Sequence, residues 1–154
     1  MSMDETRTPV VLLVEDSPDD QEFVRRAFGA IEYRIELHTV ANGEEALRYV
    51  RSAQTGSDDA SWPDLILLDL NMPGMDGREV LARLKEQPET CTIPVVVFTS
   101  SQSEEDVVRA YQLGCNSFVK KPVGREELIR LVELLVRYWF RCAILPTDAS
   151  IRMS

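Results

Sequence analysis

A chain of 154 residues is long enough for one compact domain with a substantial hydrophobic core. Its composition, 44% hydrophobic and 28% charged, is that of a globular protein and excludes a disordered chain. The formal net charge of -9 argues against nucleic-acid binding, which requires clustered basic residues.

The first predicted unit is a strand followed by a helix. Residues 10–14 (VVLLV) form an unbroken apolar run rich in β-branched side chains, which predicts a strand buried on both faces. Ser17 as the N-cap and Pro18 at the first helical position predict the start of the helix. The side chains that would face the core recur at helical spacing: Phe23, Val24, Ala27, Phe28 and Ile31.

The second unit begins with a more polar strand. Residues 34–40 (RIELHTV) alternate in hydrophobicity, which predicts a strand at the sheet edge, and we interpret His38 there as a surface residue. Asn42 with Glu45 predicts the start of a helix, and the polar residues 52–63 predict a loop. The predicted buried side of this helix consists of Ala46, Leu47 and Val50.

The third unit contains the stretch LILLDLNMPGMDG, residues 65–77. Its apolar start predicts another strand buried on both faces, so Asp69 is placed at the carboxyl end of that strand, where ligands bind in open α/β sheets. Asp76 and Glu79 form a capping-box pattern, which predicts a third helix that ends before Pro88.

The fourth unit is similar in design. Residues 94–101 (PVVVFTSS) predict a strand that ends in hydroxyl side chains, Thr99 among them. Ser103 with Asp106 predicts the start of a fourth helix, and Gly114 suits its C-terminal stop. A hydroxyl group is therefore expected at the carboxyl end of this strand.

The last unit completes the alternation. Residues 117–119 predict a short fifth strand, which is followed at once by Lys120 and Lys121. Residues 125–140 predict the last helix. Five alternating β–α units predict an α/β fold, a doubly wound five-stranded parallel sheet with helices on both faces.

Cysteine use and hydropathy indicate the compartment. The cysteines, 91, 115 and 142, are odd in number and form no CxxC pair, which favours free thiols in a reducing compartment over disulfides or a zinc site. No signal peptide is visible, and no apolar run approaches the roughly 20 residues of a membrane-spanning helix. We therefore expect a cytoplasmic protein that contacts neither membrane nor nucleic acid.

Carboxylates follow two of the predicted strands. If the strand order is 2-1-3-4-5, Glu15 and Asp16 meet Asp69 in one crevice. Two like charges 4 Å apart repel by about 4 kcal/mol at an effective dielectric near 20, so such a cluster needs a cation. An all-oxygen site without His or Cys suits Mg²⁺, which keeps several waters and takes a phosphate oxygen.

If such a cation holds a phosphate, the groups next to it can be given candidate roles in phosphate chemistry. The Asp69 carboxylate is a candidate nucleophile that accepts a phosphoryl group as an acyl phosphate. Phosphoryl transfer depends mainly on neutralising charge on the phosphoryl oxygens. The Lys121 ammonium and the Thr99 hydroxyl are candidates for that task.

The ordered motifs LVEDSP, DLNMPGMDG, FTSS and FVKKP resemble the receiver domains of two-component response regulators over about residues 9–140. The resemblance implies the flavodoxin-like receiver fold with strand order 2-1-3-4-5. It also implies that Glu15 and Asp16 are the acidic pair, with Asp16 a direct Mg²⁺ ligand, and that Asp69 is the phosphoacceptor. Glu15 replaces the commoner Asp, which leaves its role, for example through a water, open.

The same resemblance implies further roles. Asn71 would bind the metal through its backbone carbonyl, Thr99 would be the switch hydroxyl and Phe118 the switch aromatic. Lys121 would bind the phosphate, because the family's lysine directly precedes the proline, and the bond from Lys121 to Pro122 would be cis. The phosphoryl donor would be a sensor histidine kinase.

The segment YWFRCAILP, residues 138–146, resembles more specifically the single-domain regulators paired with bacterial phytochromes. This resemblance implies a phytochrome-type kinase as the partner. We expect a flexible tail at residues 1–8, a receiver domain at residues 9–140 and a C-terminal extension at residues 141–154. With no output domain expected, the signal would pass by protein contact.

The last predicted helix is apolar on more than one side. From residue 131 to 140 only Glu133 and Arg137 are polar, which predicts that either the C-terminal extension or another subunit covers it. We predict a homodimer that uses the face of the fourth helix, fifth strand and last helix, with Leu134, Tyr138 and Phe140 exposed at the interface.

Three other functions compete with a phosphoryl-accepting switch. A small-molecule phosphatase with an aspartyl-phosphate intermediate usually needs a second Asp two residues after the nucleophile, where this chain has Asn71. A flavodoxin-like cofactor binder would carry Gly, Ser or Thr in its first turn, whereas EDSPDD would repel a phosphate. A phosphate-independent dimeric interaction module is the remaining alternative.

Overall fold

The structure is a computed structural model that describes residues 7–56 and 60–147. Most of the expected N-terminal tail at residues 1–8 and half of the expected extension at residues 141–154 lie outside these residues. The strands are β1 (Val10–Val14), β2 (Glu36–Val40), β3 (Leu65–Leu68), β4 (Val95–Thr99) and β5 (Ser117–Lys120). The α-helices are α1 (Pro18–Ala30), α2 (Gly43–Thr55), α3 (Gly77–Glu86), α4 (Glu104–Gln112) and α5 (Arg125–Arg137).

The strands form one parallel sheet in the order β2-β1-β3-β4-β5, which confirms the predicted doubly wound fold. In the register of β1 and β3, Val14 pairs with Leu68, so the residues that follow these two strands lie side by side. In the register of β4 and β5, Thr99 pairs with Lys120. The carboxyl ends of four strands therefore meet at one edge of the sheet.

Side-chain caps fix where four of the helices begin. In each case an oxygen of the cap accepts a hydrogen bond from a backbone N–H in the first turn, which satisfies a donor that the helix itself cannot pair. The caps are Ser17, Asn42, Asp76 and Ser103, as predicted. The carboxylates of Glu79 and Asp106 turn elsewhere, to Arg83 and Arg78 respectively, instead of completing a capping box.

The second helix is longer than predicted. It continues to Thr55 and ends at Gly56, whose φ of 75° is in the left-handed region and whose N–H donates to the Ser52 carbonyl. The prediction of a loop at residues 52–63 was therefore wrong at its start, because polar residues on the exposed side of a helix read like a loop. The sheet-edge position of β2 is confirmed. Its His38 is half-buried, and His38 Nε2 lies 2.5 Å from Glu36 Oε2.

Two hydrophobic layers cover the two faces of the sheet. Alternate residues of β1 divide between them, with Leu12 and Val14 facing α2, α3 and α4, and Val11 and Leu13 facing α1 and α5. Both faces of the central strands are thus buried, as their unbroken apolar sequences predict. None of the described helices is long and apolar enough to cross a membrane.

The C-terminal segment departs from the prediction. The α-helix ends at Arg137 and continues as a π-helical turn, Tyr138–Cys142, in which the Ala143 N–H donates to the Tyr138 carbonyl. Phe140 is 3% exposed and packs with α1 and α5, so its assignment to an exposed dimer interface was wrong. Phe140 follows the buried Val136 by four residues and so continues the core-facing side of the helix, and the buried Leu145 comes after it.

The peptide bond before Pro122 is also not as expected. No cis peptide bond occurs among the described residues, so the Lys121–Pro122 bond is trans, contrary to the resemblance. The trans form of a bond before proline is favoured by roughly 0.5–1 kcal/mol. The Lys121 N–H donates to the Thr99 carbonyl at 2.8 Å, so this backbone is anchored to β4 with the bond in its trans form.

Candidate functional site

Three carboxylates lie together where β1 and β3 end. Glu15 and Asp16 follow β1, Asp69 follows β3, and one oxygen of each lies within 4.8 Å of the others. The Asp69 N–H donates to the Val14 carbonyl at 3.1 Å, which continues the strand pairing up to the cluster. The structure thus brings together the acidic residues that the sequence places at this edge.

Burial makes this cluster electrostatically costly. Glu15 is 1% exposed and Asp69 6%, and burial raises the pKa of Glu15 above its usual range although bonds from Lys121 and the Ser17 N–H oppose the shift. A buried carboxylate that lacks a counter-charge destabilises the fold. The cluster therefore requires positive charge nearby.

Lys121 supplies one positive charge. Its Nζ lies 2.5 Å from Glu15 Oε1, 2.9 Å from Asp20 Oδ2 and 3.5 Å from Asp69 Oδ2. Burial by itself would lower the pKa of Lys121, but the bonds to Glu15 and Asp20 and the Asp69 charge raise it above its ordinary value. The predicted choice of Lys121 over the exposed Lys120 agrees with this placement.

The two oxygens of Glu15 are both engaged by the protein. Oε1 accepts from Lys121, and Oε2 accepts from the Ser17 N–H at 3.1 Å. A cation at the cluster would therefore draw mainly on Asp16 and Asp69. The donors are carboxylate oxygens without histidine or thiolate, which fits a hard divalent cation such as Mg²⁺ or Mn²⁺.

Asp69 itself is held loosely. The Asn71 N–H donates to its Oδ1 at 3.3 Å, and Lys121 reaches its Oδ2 only at 3.5 Å. The Thr99 hydroxyl is fully buried, and the donors nearest to it are the Asn71 amide and the Ser101 N–H, each at 3.5 Å. Both groups thus retain hydrogen-bonding capacity toward a ligand.

Gly77 allows the backbone to pack closely beneath the site. Its N–H donates to the Leu70 carbonyl at 3.0 Å, and a Cβ built on it would lie 2.2 Å from the Asp69 carbonyl oxygen. Only glycine fits there, so α3 begins directly against the loop that carries Asp69. Sequence analysis did not single out Gly77, although it closes the motif DLNMPGMDG.

Asp20 was also missed. Its position in the first turn of α1 reads as a charge that favours the helix dipole, yet its carboxylate contacts Lys121. Finding this contact needs the spatial relation of α1 to the loop after β5, which no local pattern contains. Asp20 therefore belongs to the site.

The remaining predicted site residues lie on β5 and in its surroundings. Phe118 is half-buried against the layer of α2, α3 and α4, and its N–H donates to the Tyr111 hydroxyl at 3.1 Å.

The loop after β4 is tied to α3, because Asp106 accepts from Arg78 at 2.5 Å and also from the Ser101 hydroxyl.

The sequence matches the family described as "Response regulator receiver domain" over residues 11–133. Response regulator Rcp1 of Synechocystis sp. is 38% identical over 144 residues, which cover 93% of this chain and 97% of Rcp1. The fold is similar to that of the phosphorylated cyanobacterial phytochrome response regulator RcpA, with a TM-score of 0.82 and 37% identity over 91% of this chain and 99% of RcpA. The Mn²⁺-bound form of Rcp1 gives a TM-score of 0.78 and 36% identity over 90% of this chain and 99% of that one.

Proposed function

Because this chain belongs to the family of response regulator receiver domains, we propose that it accepts a phosphoryl group on Asp69 from a sensor histidine kinase. The observation that carries the proposal is the cluster of the buried Glu15 and Asp69 with the half-buried Asp16, and with Lys121 at its rim. The similarity to Rcp1 and RcpA, the latter a phytochrome response regulator, supports a phytochrome-type kinase as the donor.

In the proposed transfer, an Asp69 carboxylate oxygen attacks the phosphorus of a phosphohistidine. A P–O bond forms, the P–N bond breaks and the imidazole nitrogen leaves with the electron pair, so Asp69 becomes a mixed anhydride. The Lys121 ammonium and the Thr99 hydroxyl are the groups of this chain that would donate to the phosphoryl oxygens. Mg²⁺, held by Asp16, Asp69 and the Asn71 carbonyl, would supply the rest of the charge neutralisation when bound.

The proposed signal starts at Thr99. Its hydroxyl has only long contacts to Asn71 and Ser101, so a phosphoryl group on Asp69 competes easily for it. Movement of Thr99 would shift the loop after β4 and let the half-buried Phe118 turn inward. The altered face of α4, β5 and α5 would then be recognised by a protein partner.

Turnover of an external substrate is not part of the proposal. Receiver-domain response regulators are generally non-enzymatic signalling proteins, and the chain is a member of that family. Asn71 occupies the position where aspartyl-phosphate phosphatases use an acid. We propose that the protein catalyses at most its own phosphorylation and dephosphorylation.

We also propose a homodimer through α5 and its neighbours. Leu134 on α5 and Tyr138 at the start of the π-helical turn lie about one turn apart and are 62% and 56% exposed, which leaves an apolar patch in the single chain. Sedimentation velocity tests this directly: the parent chain should sediment as a dimer, and Leu134→Asp as a monomer. A parent chain that stays monomeric at micromolar concentration would contradict the dimer.

The phosphoacceptor proposal is tested by incubating the protein with Mg²⁺ and acetyl phosphate and measuring the intact mass. One phosphoryl adduct is expected on the parent chain, none after EDTA and none on Asp69→Ala. An adduct that persists on Asp69→Ala would contradict the assignment of Asp69. If neither chain forms an adduct, even with a phosphorylated histidine kinase as donor, a phosphate-independent interaction module becomes the better description.

A further inference from the structure

The ammonium of Lys121 has more partners than charge neutralisation of Asp69 requires. An ammonium has three N–H donors, and three carboxylates surround this one. The contacts to Glu15 and Asp20 are short, 2.5 Å and 2.9 Å, and the contact to Asp69 is the long one, 3.5 Å. Lys121 is therefore held by Glu15 and Asp20, and only its remaining donor faces Asp69.

Both short contacts come from residues that Ser17 fixes. The Ser17 N–H donates to Glu15 Oε2 at 3.1 Å, and the Ser17 hydroxyl accepts from the Asp20 N–H at 3.3 Å. Glu15 belongs to the end of β1 and Asp20 to the first turn of α1, so the two anchors approach the ammonium from different elements. A lysine side chain is flexible, and two anchors define the direction of its third donor, which one anchor cannot do.

We propose that Asp20 is a positioning residue that, together with Glu15, orients the Lys121 ammonium toward Asp69 and toward the phosphoryl group formed there. This inference rests on the proposed function. Phosphorylation removes the negative charge of the Asp69 carboxylate, whose contact with the ammonium is the longest of the three. Lys121 therefore keeps its contacts with Glu15 and Asp20 while its third N–H turns to a phosphoryl oxygen. Asp20 itself touches neither the phosphorus nor the attacking oxygen.

Asp19 provides a matched control. It lies beside Asp20 in the same first turn of α1, carries the same charge, and is exposed with no contact to Lys121. Both substitutions, Asp19→Ala and Asp20→Ala, remove one negative charge from the same helix terminus. The electrostatic effect alone would speed the reaction with an anionic donor in both variants, because repulsion falls.

The rate of adduct formation from acetyl phosphate, at saturating Mg²⁺ and as a function of donor concentration, separates positioning from charge. We expect Asp20→Ala to lower the maximal rate about tenfold, the scale of one charge-assisted hydrogen bond. Asp19→Ala should stay within about twofold of the parent. Asp20→Asn should recover part of the rate, because its amide oxygen still accepts from Lys121.

Thermal unfolding of all variants verifies that each is folded at the assay temperature. Equal rates for Asp20→Ala and Asp19→Ala, with a reactive parent chain, would overturn the inference while leaving the proposed function intact. A parent chain that forms no adduct would overturn the proposed function and the inference with it. Crystal structures give a readout without phosphorylation: Lys121 Nζ should leave its place beside Asp69 in Asp20→Ala but not in Asp19→Ala, and a lysine that stays in place overturns the inference.

Discussion

Two aspartates flank the central strand β3, Asp64 before it and Asp69 after it, and both are nearly buried, at 2% and 6% exposure. Asp64 accepts short hydrogen bonds from Arg7 at 2.9 Å, from the Val10 N–H at 2.8 Å and from the Thr147 hydroxyl at 2.9 Å. Among the described residues, the Asp69 carboxylate has only longer contacts, to the Asn71 N–H at 3.3 Å and to Lys121 at 3.5 Å. The two aspartates flank the same strand and are similarly buried, but they differ in the number of hydrogen-bond donors close to their carboxylates.

This difference separates a structural carboxylate from the proposed phosphoacceptor. Three donors around Asp64 satisfy its oxygens and balance its charge, so it binds the two ends of the described chain to the sheet. Asp69 has two other carboxylates as neighbours and few donors, so its oxygens stay available to a cation or to phosphorus. Burial by itself therefore does not identify a functional aspartate.

The largest effect on stability is expected from substitution of Asp64. Asp64→Ala removes the acceptor of three buried or half-buried donors, and we expect the free energy of unfolding to fall by about 3 kcal/mol. Chemical denaturation measures this loss. Phosphoryl-adduct formation should persist where the variant is folded, because the opposite edge of the sheet is unchanged. A loss below about 1 kcal/mol would show that Arg7 and Thr147 find equivalent partners without Asp64.

A divalent cation should stabilise the fold through the carboxylate cluster around Asp69 and not through Asp64. In the presence of Mg²⁺ at about a hundred times its dissociation constant, the free energy of unfolding should rise by roughly 2.7 kcal/mol. EDTA should reverse the gain, and Asp16→Asn should abolish it, because Asp16 is the carboxylate of the cluster least engaged by the protein. Asp64→Ala serves as the control and should keep the full response to Mg²⁺. An equal gain in Asp16→Asn would place the cation elsewhere.

The cluster around Asp69 was predictable from sequence, and the contacts of Asp64 were not. Glu15, Asp16 and Asp69 follow directly after strongly apolar strands, so their meeting point depends only on strand order. Asp64 depends on Arg7 and Thr147, 57 and 83 residues away in the chain, at the two ends of the described residues. Sequence periodicity carries no information on such pairings.

Other differences have equally local causes. Phe140 was assigned to an exposed interface because the last helix is apolar on several sides, whereas it continues the buried face of Leu128, Val132 and Val136 at a spacing of four residues. The resemblance implied a cis bond before Pro122, whereas the bond is trans and its backbone is anchored to β4 through the Lys121 N–H. Asp20 was missed because its partner Lys121 comes from the loop after β5, outside the local sequence pattern of α1.

Removal of the Asp69 charge should change the free energy of unfolding in the opposite direction from Asp64→Ala. In metal-free buffer, Asp69→Asn relieves repulsion with Glu15 and Asp16 and gives up only one long contact to Lys121. We expect the free energy of unfolding to rise by about 1 kcal/mol, a fraction of the roughly 4 kcal/mol between like charges 4 Å apart at an effective dielectric near 20. Chemical denaturation in EDTA measures the change. A decrease would mean that the Lys121 contact outweighs the repulsion.

The smallest effect tests how the C-terminal segment is bound. Thr147→Val keeps the shape of the side chain but removes the hydroxyl that donates to Asp64 Oδ1, so we expect a loss of about 1 kcal/mol in the free energy of unfolding. Denaturation of this variant, of Asp64→Ala and of the double variant forms a double-mutant cycle. In the Asp64→Ala background the valine should cost almost nothing, because its partner is already gone. Equal losses in both backgrounds would mean that Thr147 stabilises the fold without Asp64, and that Asp64 is satisfied by Arg7 and the Val10 N–H alone.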